Sequence, residues 1–275
     1  MTNRFLTAAC AATMVFAAGC GSSGSGSFLS GKLIVADGKE GVNGSIYTID
    51  PETGEIGDEV GTLPRGLTAM VTAPDGTIYG VTSYMTTDTD GAGNLRLYRF
   101  VSDNATQTLE AELVGDLDEI AEENETDAPG YVIAGLVYID GTLYGHETDV
   151  EDPAFYSIDP ETGIMEELGT AEGYGSYGAG IATDSDGTIY GILNEFLVTI
   201  DPDDGSVDEE IAEWENNTDD GSYITDLTFV EGRLLGLVVY ETAEDTILVE
   251  IDPETGETEE IGVLPGDIAA ITYVP

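Results

Sequence analysis

One six-residue phrase recurs along this chain and limits what the chain can fold into. Ile49-Asp50-Pro51-Glu52-Thr53-Gly54 returns as Ile158-Asp159-Pro160-Glu161-Thr162-Gly163, as Ile200-Asp201-Pro202-Asp203-Asp204-Gly205 and as Ile251-Asp252-Pro253-Glu254-Thr255-Gly256. A second phrase alternates with it: Asp75-Gly76-Thr77-Ile78-Tyr79-Gly80, Asp140-Gly141-Thr142-Leu143-Tyr144-Gly145, Asp186-Gly187-Thr188-Ile189-Tyr190-Gly191 and the degraded Glu231-Gly232-Arg233-Leu234-Leu235-Gly236. Gly31-Lys32-Leu33-Ile34-Val35 fits the same register, so marker glycines stand at 31, 76, 141, 187 and 232, with spacings of 45, 65, 46 and 45 residues. Repetition at a nearly fixed period means one supersecondary unit laid down several times, each copy covering the apolar face of the next.

Each unit reads as four short strands. Strand A is an apolar run such as Leu67 to Val71 or Ile224 to Phe229, strand B is the Ile-Tyr-Gly element, strand C ends in Ile-Asp-Pro, and strand D follows the glycine, as in Thr106 to Leu113. The A–B link is an Asp-Gly pair, a two-residue hairpin signal. In the C–D link proline presets φ, aspartate bonds back to the turn's own amides and glycine takes the positive φ. These acids therefore have a structural explanation and are not expected to be catalytic. A period near 45 with four strands per unit is the pattern of a β-propeller blade. Strands of type A begin near Leu67, Ile133, Gly178, Ile224 and Ile268, and the chain starts at strand B and ends at strand A. The expected fold is an all-β, five-bladed β-propeller of four-stranded antiparallel blades over residues 31–275, its first blade closed by the C-terminal strand Ile268–Val274. Closure leaves no open edge between first and last blades.

The phrases Leu-Tyr-x-Ile-Asp-Pro-x-Thr-Gly and Asp-Gly-Thr-Ile-Tyr-Gly resemble the repeats of secreted bacterial β-propellers of the NHL and YVTN type. The resemblance covers residues 31 to 275, and it implies the fold more than the function, because such propellers serve both as binding proteins and as hydrolases. The second unit departs from the pattern, with Phe100-Val101-Ser102-Asp103-Asn104 at its C–D turn.

The N-terminus carries an address. Residues 1–19 hold Arg4 and then a mostly apolar run from Phe5 to Ala18, too short to span a bilayer comfortably and fit for a signal peptide. Ala17-Ala18-Gly19-Cys20 resembles the lipobox of bacterial lipoproteins, in which cleavage precedes a cysteine that takes a diacylglyceryl group; Ala17 stands where that family usually has leucine. Residues 20–30 begin with Cys20 and the flexible run Gly21-Ser22-Ser23-Gly24-Ser25-Gly26-Ser27, a tether for an anchored domain. The expected location is the cell envelope, at the outer membrane or cell surface, with the membrane met only through lipid on Cys20. With Cys10 leaving in the signal, no internal disulfide is available, so the core must supply the stability.

Charge narrows the partners. Lys and Arg number 7 against 55 Asp and Glu, a formal charge of −48. Such a surface repels phosphates and excludes nucleic acid as a partner. The acids are spread over the whole chain, which fits salty surroundings better than a specific cation site. A monomer is expected.

Function is sought on loops carried by a rigid scaffold. The A–B and C–D turns are uniformly short and share one face; the B–C and D–A loops vary in length and share the other. That second face is therefore the expected binding face. Its candidate ligand contacts are Trp214, Tyr177, Tyr174, Tyr223, Tyr131, His146 and Tyr84. Tyr131, Tyr177 and Tyr223 stand at near-equivalent positions and serve equally well as caps on the A strands. At the axis, Ala69, Gly135, Gly180, Asp226 and Ala270 align as a ring of small residues broken by one acid. Asp226 suits either an axial ligand role or, the favoured reading, a bond to a neighbouring backbone amide.

Catalytic patterns are scarce. One His, with Lys32 and Lys39 the only lysines, excludes most triads and multi-histidine metal sites. Asp88-Thr89-Asp90-Gly91 opens like a calcium loop and then leaves its spacing, so a polar turn is expected there. No cofactor is expected. The leading expectation is a binding module for a protein or a glycan. The alternative is a glycoside or lactone hydrolase using carboxylates, with Ca²⁺, at the axial mouth. Three or four acids converging on Asp226 favour the hydrolase; an aromatic mouth favours binding.

Overall fold

Apolar and polar residues alternate through each repeat, and the computed structural model turns that alternation into strands. It describes residues 27–38, 44–63, 65–82, 95–117, 132–148, 152–174, 180–214, 222–240 and 245–275. Cys20, Tyr84, Tyr131 and Tyr177 lie outside the described residues. The described chain is all-β. Its strands are β1 (Lys32–Asp37), β2 (Gly44–Ile49), β3 (Ile56–Leu63), β4 (Leu67–Thr72), β5 (Ile78–Thr82), β6 (Arg96–Asp103), β7 (Thr108–Asp116), β8 (Val132–Ile139), β9 (Thr142–Thr148), β10 (Ala154–Ile158), β11 (Met165–Thr170), β12 (Ile181–Thr183), β13 (Ile189–Leu193), β14 (Phe196–Ile200), β15 (Val207–Glu213), β16 (Ser222–Val230), β17 (Arg233–Tyr240), β18 (Thr246–Ile251), β19 (Thr258–Leu264) and β20 (Ile268–Val274).

Three four-stranded antiparallel sheets have the orders β11-β10-β9-β8, β12-β13-β14-β15 and β16-β17-β18-β19. An eight-stranded sheet has the order β20-β1-β2-β3-β7-β6-β5-β4. Within it a single parallel pair, Gly61 with Leu109, joins two four-stranded antiparallel halves. β20 lies against β1 from Lys32↔Val274 to Asp37↔Ile268, so the last strand completes the sheet that the first strands begin. β4, β8, β12, β16 and β20 each pack against the next, and β20 returns to β4. The sheets therefore stand around a common axis, which is the β-propeller architecture.

The core lies between adjacent sheets. Ile34, Met70, Ile78, Phe100 and Ala270 share one such layer, and Leu33, Val35, Leu235, Leu237 and Ile271 another. Each large apolar side chain removed from water there contributes about 1.5–3 kcal/mol. Near the axis the type A strands β4, β8 and β16 each carry a bulge: the register shifts between Leu67 and Ala69, between Ile133 and Gly135 and between Ile224 and Asp226. Crowding at the axis is plain at Gly180, where a Cβ would meet the Asp226 backbone at 2.7 Å.

The turns follow from their residues. Asp50 Oδ1 accepts from the amides of Glu52 and Thr53, Asp159 Oδ1 from Glu161 and Thr162, and Asp252 Oδ1 from Glu254 and Thr255. The glycine closes each turn with positive φ, 68° at Gly54 and 72° at Gly163. The second unit's departure is resolved here: Gln107 takes that place at φ 57°. A side chain in the left-handed region costs about 1 kcal/mol, so Gln107→Gly is expected to raise stability by roughly that amount, read from the urea midpoint at unchanged slope. The A–B links need a correction. Asp140-Gly141 and Glu231-Gly232 are two-residue turns with both φ positive. Asp75-Gly76 and Asp186-Gly187 instead close wider turns, with strands stopping at Thr72 and Thr183 and resuming at Ile78 and Ile189. Pro74 cannot donate a ladder bond, and Asp184 Oδ1 accepts the amides of Asp186 and Thr188. Both devices end strand pairing early.

Candidate functional site

The axis is spanned by one carboxylate. Asp226, on β16, is wholly buried. Its Oδ2 accepts from Met70 N of β4 at 3.2 Å and from Ile271 N of β20 at 2.9 Å, and its Oδ1 accepts from Leu227 N at 2.9 Å. Burial pushes the carboxyl well above its ordinary range, and the three amide donors pull the other way. Around it, Thr68 Oγ1 donates to Ile133 O of β8 at 2.7 Å, and the Thr72 and Thr272 hydroxyls bond at 2.9 Å. Asp226 therefore acts as a cross-tie among inner strands. Among the described residues no cluster of three or more His, Cys, Asp or Glu able to hold a metal ion occurs, at Asp226 or elsewhere.

Beyond this cross-tie, toward the A–B turns, the inner strands wall a funnel of about 820 Å³. Met70, Leu136, Ile181 and Leu227 form its inner end. Three residues past the small-residue ring come Thr72, Tyr138, Thr183, Phe229 and Tyr273, and these, with Tyr190 of β13, line the mouth. All four rings at the mouth are half-buried. Tyr138 stacks on Tyr79 at 6.1 Å, and Tyr190 meets Phe229 edge-on at 5.4 Å. Asp184 and Glu231 stand at the rim, and among the described residues the lining contains neither lysine nor arginine. Thr183 Oγ1, in the wall, has no hydrogen-bond partner among the described residues. The tyrosine of the repeated Ile-Tyr-Gly phrase thus contributes both to contacts between sheets and to the mouth.

The funnel opens on the short-turn face, opposite the loop face from which a ligand was expected to bind. Two of the proposed ligand contacts also need correction. Trp214 is 2% exposed and packs with Leu197, Ile224, Leu227 and Val249 between two sheets. Its indole N–H donates to Thr258 Oγ1 at 3.1 Å, so the ring is satisfied inside the core. His146 is wholly buried, its ring tilted at 54° to Phe155. Tyr174 is half-buried and donates through its hydroxyl to Glu210 at 3.1 Å; Tyr223 is half-buried on β16. Tyr138, Tyr190, Phe229 and Tyr273 were missed from sequence. The signal was available: they follow from reading three residues beyond Gly135, Asp226 and Ala270, and from the repeated tyrosine.

His146 has an energetic consequence. Neither Nδ1 nor Nε2 has a hydrogen-bond partner among the described residues, and burial lowers the imidazole pKa from 6.5 to about 4. The unfolded chain therefore takes up this proton first as pH falls. The contribution of neutral His146 is whole above 6.5 and is lost as pH falls toward 4. The loss amounts to about 3 kcal/mol, at roughly 1.4 kcal/mol per pKa unit. His146→Leu is expected to remove that slope: urea titrations at neutral pH and at pH 4 should show the wild type losing about 3 kcal/mol more than the variant. Equal losses would place the acid sensitivity elsewhere.

No known protein-family profile matches the chain, and no curated protein matches it. Solved structures do. A chain of the nidogen/laminin complex superposes with a TM-score of 0.49 at 11% identity, over 88% of this chain and 97% of that one. The exo-β-1,3-galactanase 1,3Gal43A from Clostridium thermocellum gives 0.49 at 14%, over 82% and 52%. TolB from Acinetobacter baumannii gives 0.46 at 16%, over 84% and 53%, so this chain spans about half the length of the last two.

Proposed function

We propose that this chain is a five-bladed propeller, held in the cell envelope by lipid on Cys20, that binds a protein or glycan in the axial funnel and does no chemistry on it. Five sets of four antiparallel strands support the blade count: β20 with β1–β3, then β4–β7, β8–β11, β12–β15 and β16–β19. The observation that carries the binding role is the funnel itself, with an aromatic mouth and a buried carboxylate committed to three amides beneath it. Apolar walls with a few placed polar groups are what ligand pockets of this size present.

The test is a panel of peptides and oligosaccharides screened by thermal shift on the soluble 27–275 chain. At least one ligand class should raise the melting temperature, the gain should vanish in Phe229→Ala, and mass spectrometry should recover the ligand unchanged. A stabilising ligand that Phe229→Ala and Tyr273→Ala still bind would move the site away from the funnel. Cleavage of a panel member would replace binding with hydrolysis. For the anchor, full-length wild type is compared with Cys20→Ser in a bacterial host. Wild type should partition into detergent and the variant into the aqueous phase; equal partitioning refutes lipidation.

A further inference from the structure

The funnel opens inside a ring of acidic turns. Asp75, Asp140, Asp186 and Glu231 lie in the A–B turns, and Glu161 and Glu254 in the C–D turns; all are exposed. Two basic groups on this face are already committed. Arg99 lies between Glu112 at 2.9 Å and Glu161 at 3.5 Å, and Arg233 bonds Glu250 at 2.7 Å and also Glu52. Lys32 is the remaining described cation near this end of the sheets, exposed at the start of β1. The electrostatic character reaches the mouth. After burial itself, the charges of Asp184, Glu254, Asp186 and Glu209 hold the Tyr190 phenol above its ordinary range.

An acidic collar around an aromatic-lined, lysine- and arginine-free cavity is selective by charge sign. Anions are repelled from it, and a neutral ligand gains nothing from the collar. A cation is steered inward by the field and then meets ring faces, to which a guanidinium or ammonium is attracted within about 6 Å of a ring centroid. We infer that the funnel takes a basic segment of a protein partner and seats an arginine or lysine side chain among Tyr190, Phe229 and Tyr273. The inference rests on the funnel being the binding site. Arginine suits the seat better than lysine, because its planar head is less tightly hydrated and stacks on aromatic faces. The collar sets the association rate and its salt dependence, and the rings set the residence time.

The test uses the soluble 27–275 chain and fluorescence anisotropy with three labelled peptides. One carries four arginines spaced by glycine and serine, the second has citrulline at those positions, and the third has glutamate. Saturable one-to-one binding of the arginine peptide is expected in 0.15 M NaCl, at least tenfold tighter than the citrulline peptide, with none for the glutamate peptide. Phe229→Ala and Tyr273→Ala should each weaken it at least fivefold, and Glu231→Lys should slow association. Phe229→Leu replaces the alanine variant if that one fails to fold. Equal affinity for the arginine and citrulline peptides would overturn the inference, as would aromatic variants that bind like wild type, or no saturable binding at all. If a neutral peptide or a glycan from the thermal-shift panel is lost in Phe229→Ala while the arginine peptide never binds, the funnel stands and only its cationic occupant falls. If no ligand is sensitive to the funnel variants, both readings fall.

Discussion

A chain ending at Gly266 is expected to aggregate, or to collect as a compact state without a cooperative melt. The missing strand, β20, buries Ile268, Ala270, Ile271 and Val274. Three large side chains at about 1.5–3 kcal/mol each come to roughly 5–9 kcal/mol, against a total stability of about 5–15 kcal/mol for a typical domain. The loss extends beyond the strand itself. β1 would present an unpaired edge from Lys32 to Asp37, Asp226 would lose the Ile271 amide, and Thr72 would lose the Thr272 hydroxyl. An unpaired edge beside newly exposed apolar surface is a template for association. Solubility after expression, with a thermal melt of any soluble fraction, decides the matter. A soluble truncated chain with the wild-type melting temperature would refute closure by the C-terminal strand.

The second large effect is expected from Asp226→Ala. The substitution leaves the amides of Met70, Ile271 and Leu227 without their acceptor at a site closed to water. A buried unsatisfied donor costs about 1–3 kcal/mol, so three cost roughly 3–9 kcal/mol. Relief of the carboxylate's own desolvation offsets part of this, and a net loss of about 3–5 kcal/mol remains. For a domain of this size that lowers the melting temperature by roughly 10 °C or more. Asp226→Asn keeps one acceptor oxygen and should fall between. The pH dependence separates the two forms. Burial raises the carboxyl above 3.8 in the folded state, so the folded chain holds this proton more tightly than the unfolded chain. Its contribution is whole below 3.8 and is lost as pH rises through the folded value. The stability gap between wild type and Asp226→Asn should therefore narrow as pH rises above 4. A constant gap would mean that the carboxyl titrates alike in both states.

Much of the scaffold was legible because its determinants are local. Asp159 bonds amides two and three residues away, so Asp-Pro-Glu-Thr-Gly specifies its turn wherever it occurs. The ring of Ala69, Gly135, Gly180, Asp226 and Ala270 was legible for a related reason: repeats in register place equivalent residues at one level, and crowding there selects small ones. The A–B turns were legible only in kind. Asp-Gly announced a tight turn, but two of them are wider, one at Pro74, which lacks a ladder donor, and one at Asp184, whose carboxylate accepts the amides of Asp186 and Thr188.

The candidate site was far less legible. Trp214 and His146 were assigned to a surface because their segments border long loops, yet a segment's place on the surface does not say where its side chain points. Trp214 turns inward because Thr258, 44 residues on, accepts its N–H, and because Leu197 and Val249 offer it an apolar slot. The funnel exists only once separate inner strands converge, and its lining draws on residues from Met70 to Pro275.

The sequence by itself determined the strand period, the turn chemistry, the acidic surface and the need for the last strand to close the first sheet. All of these rest on neighbours in the chain, on composition or on repeat register. Only the tertiary structure decided that Asp226 ties Met70 and Ile271, partners 156 and 45 residues away, that the aromatic mouth lies on the short-turn face, and that His146 is sealed from water. Burial, dielectric environment and cavity shape belong to the packed ring of sheets, and no single repeat encodes them.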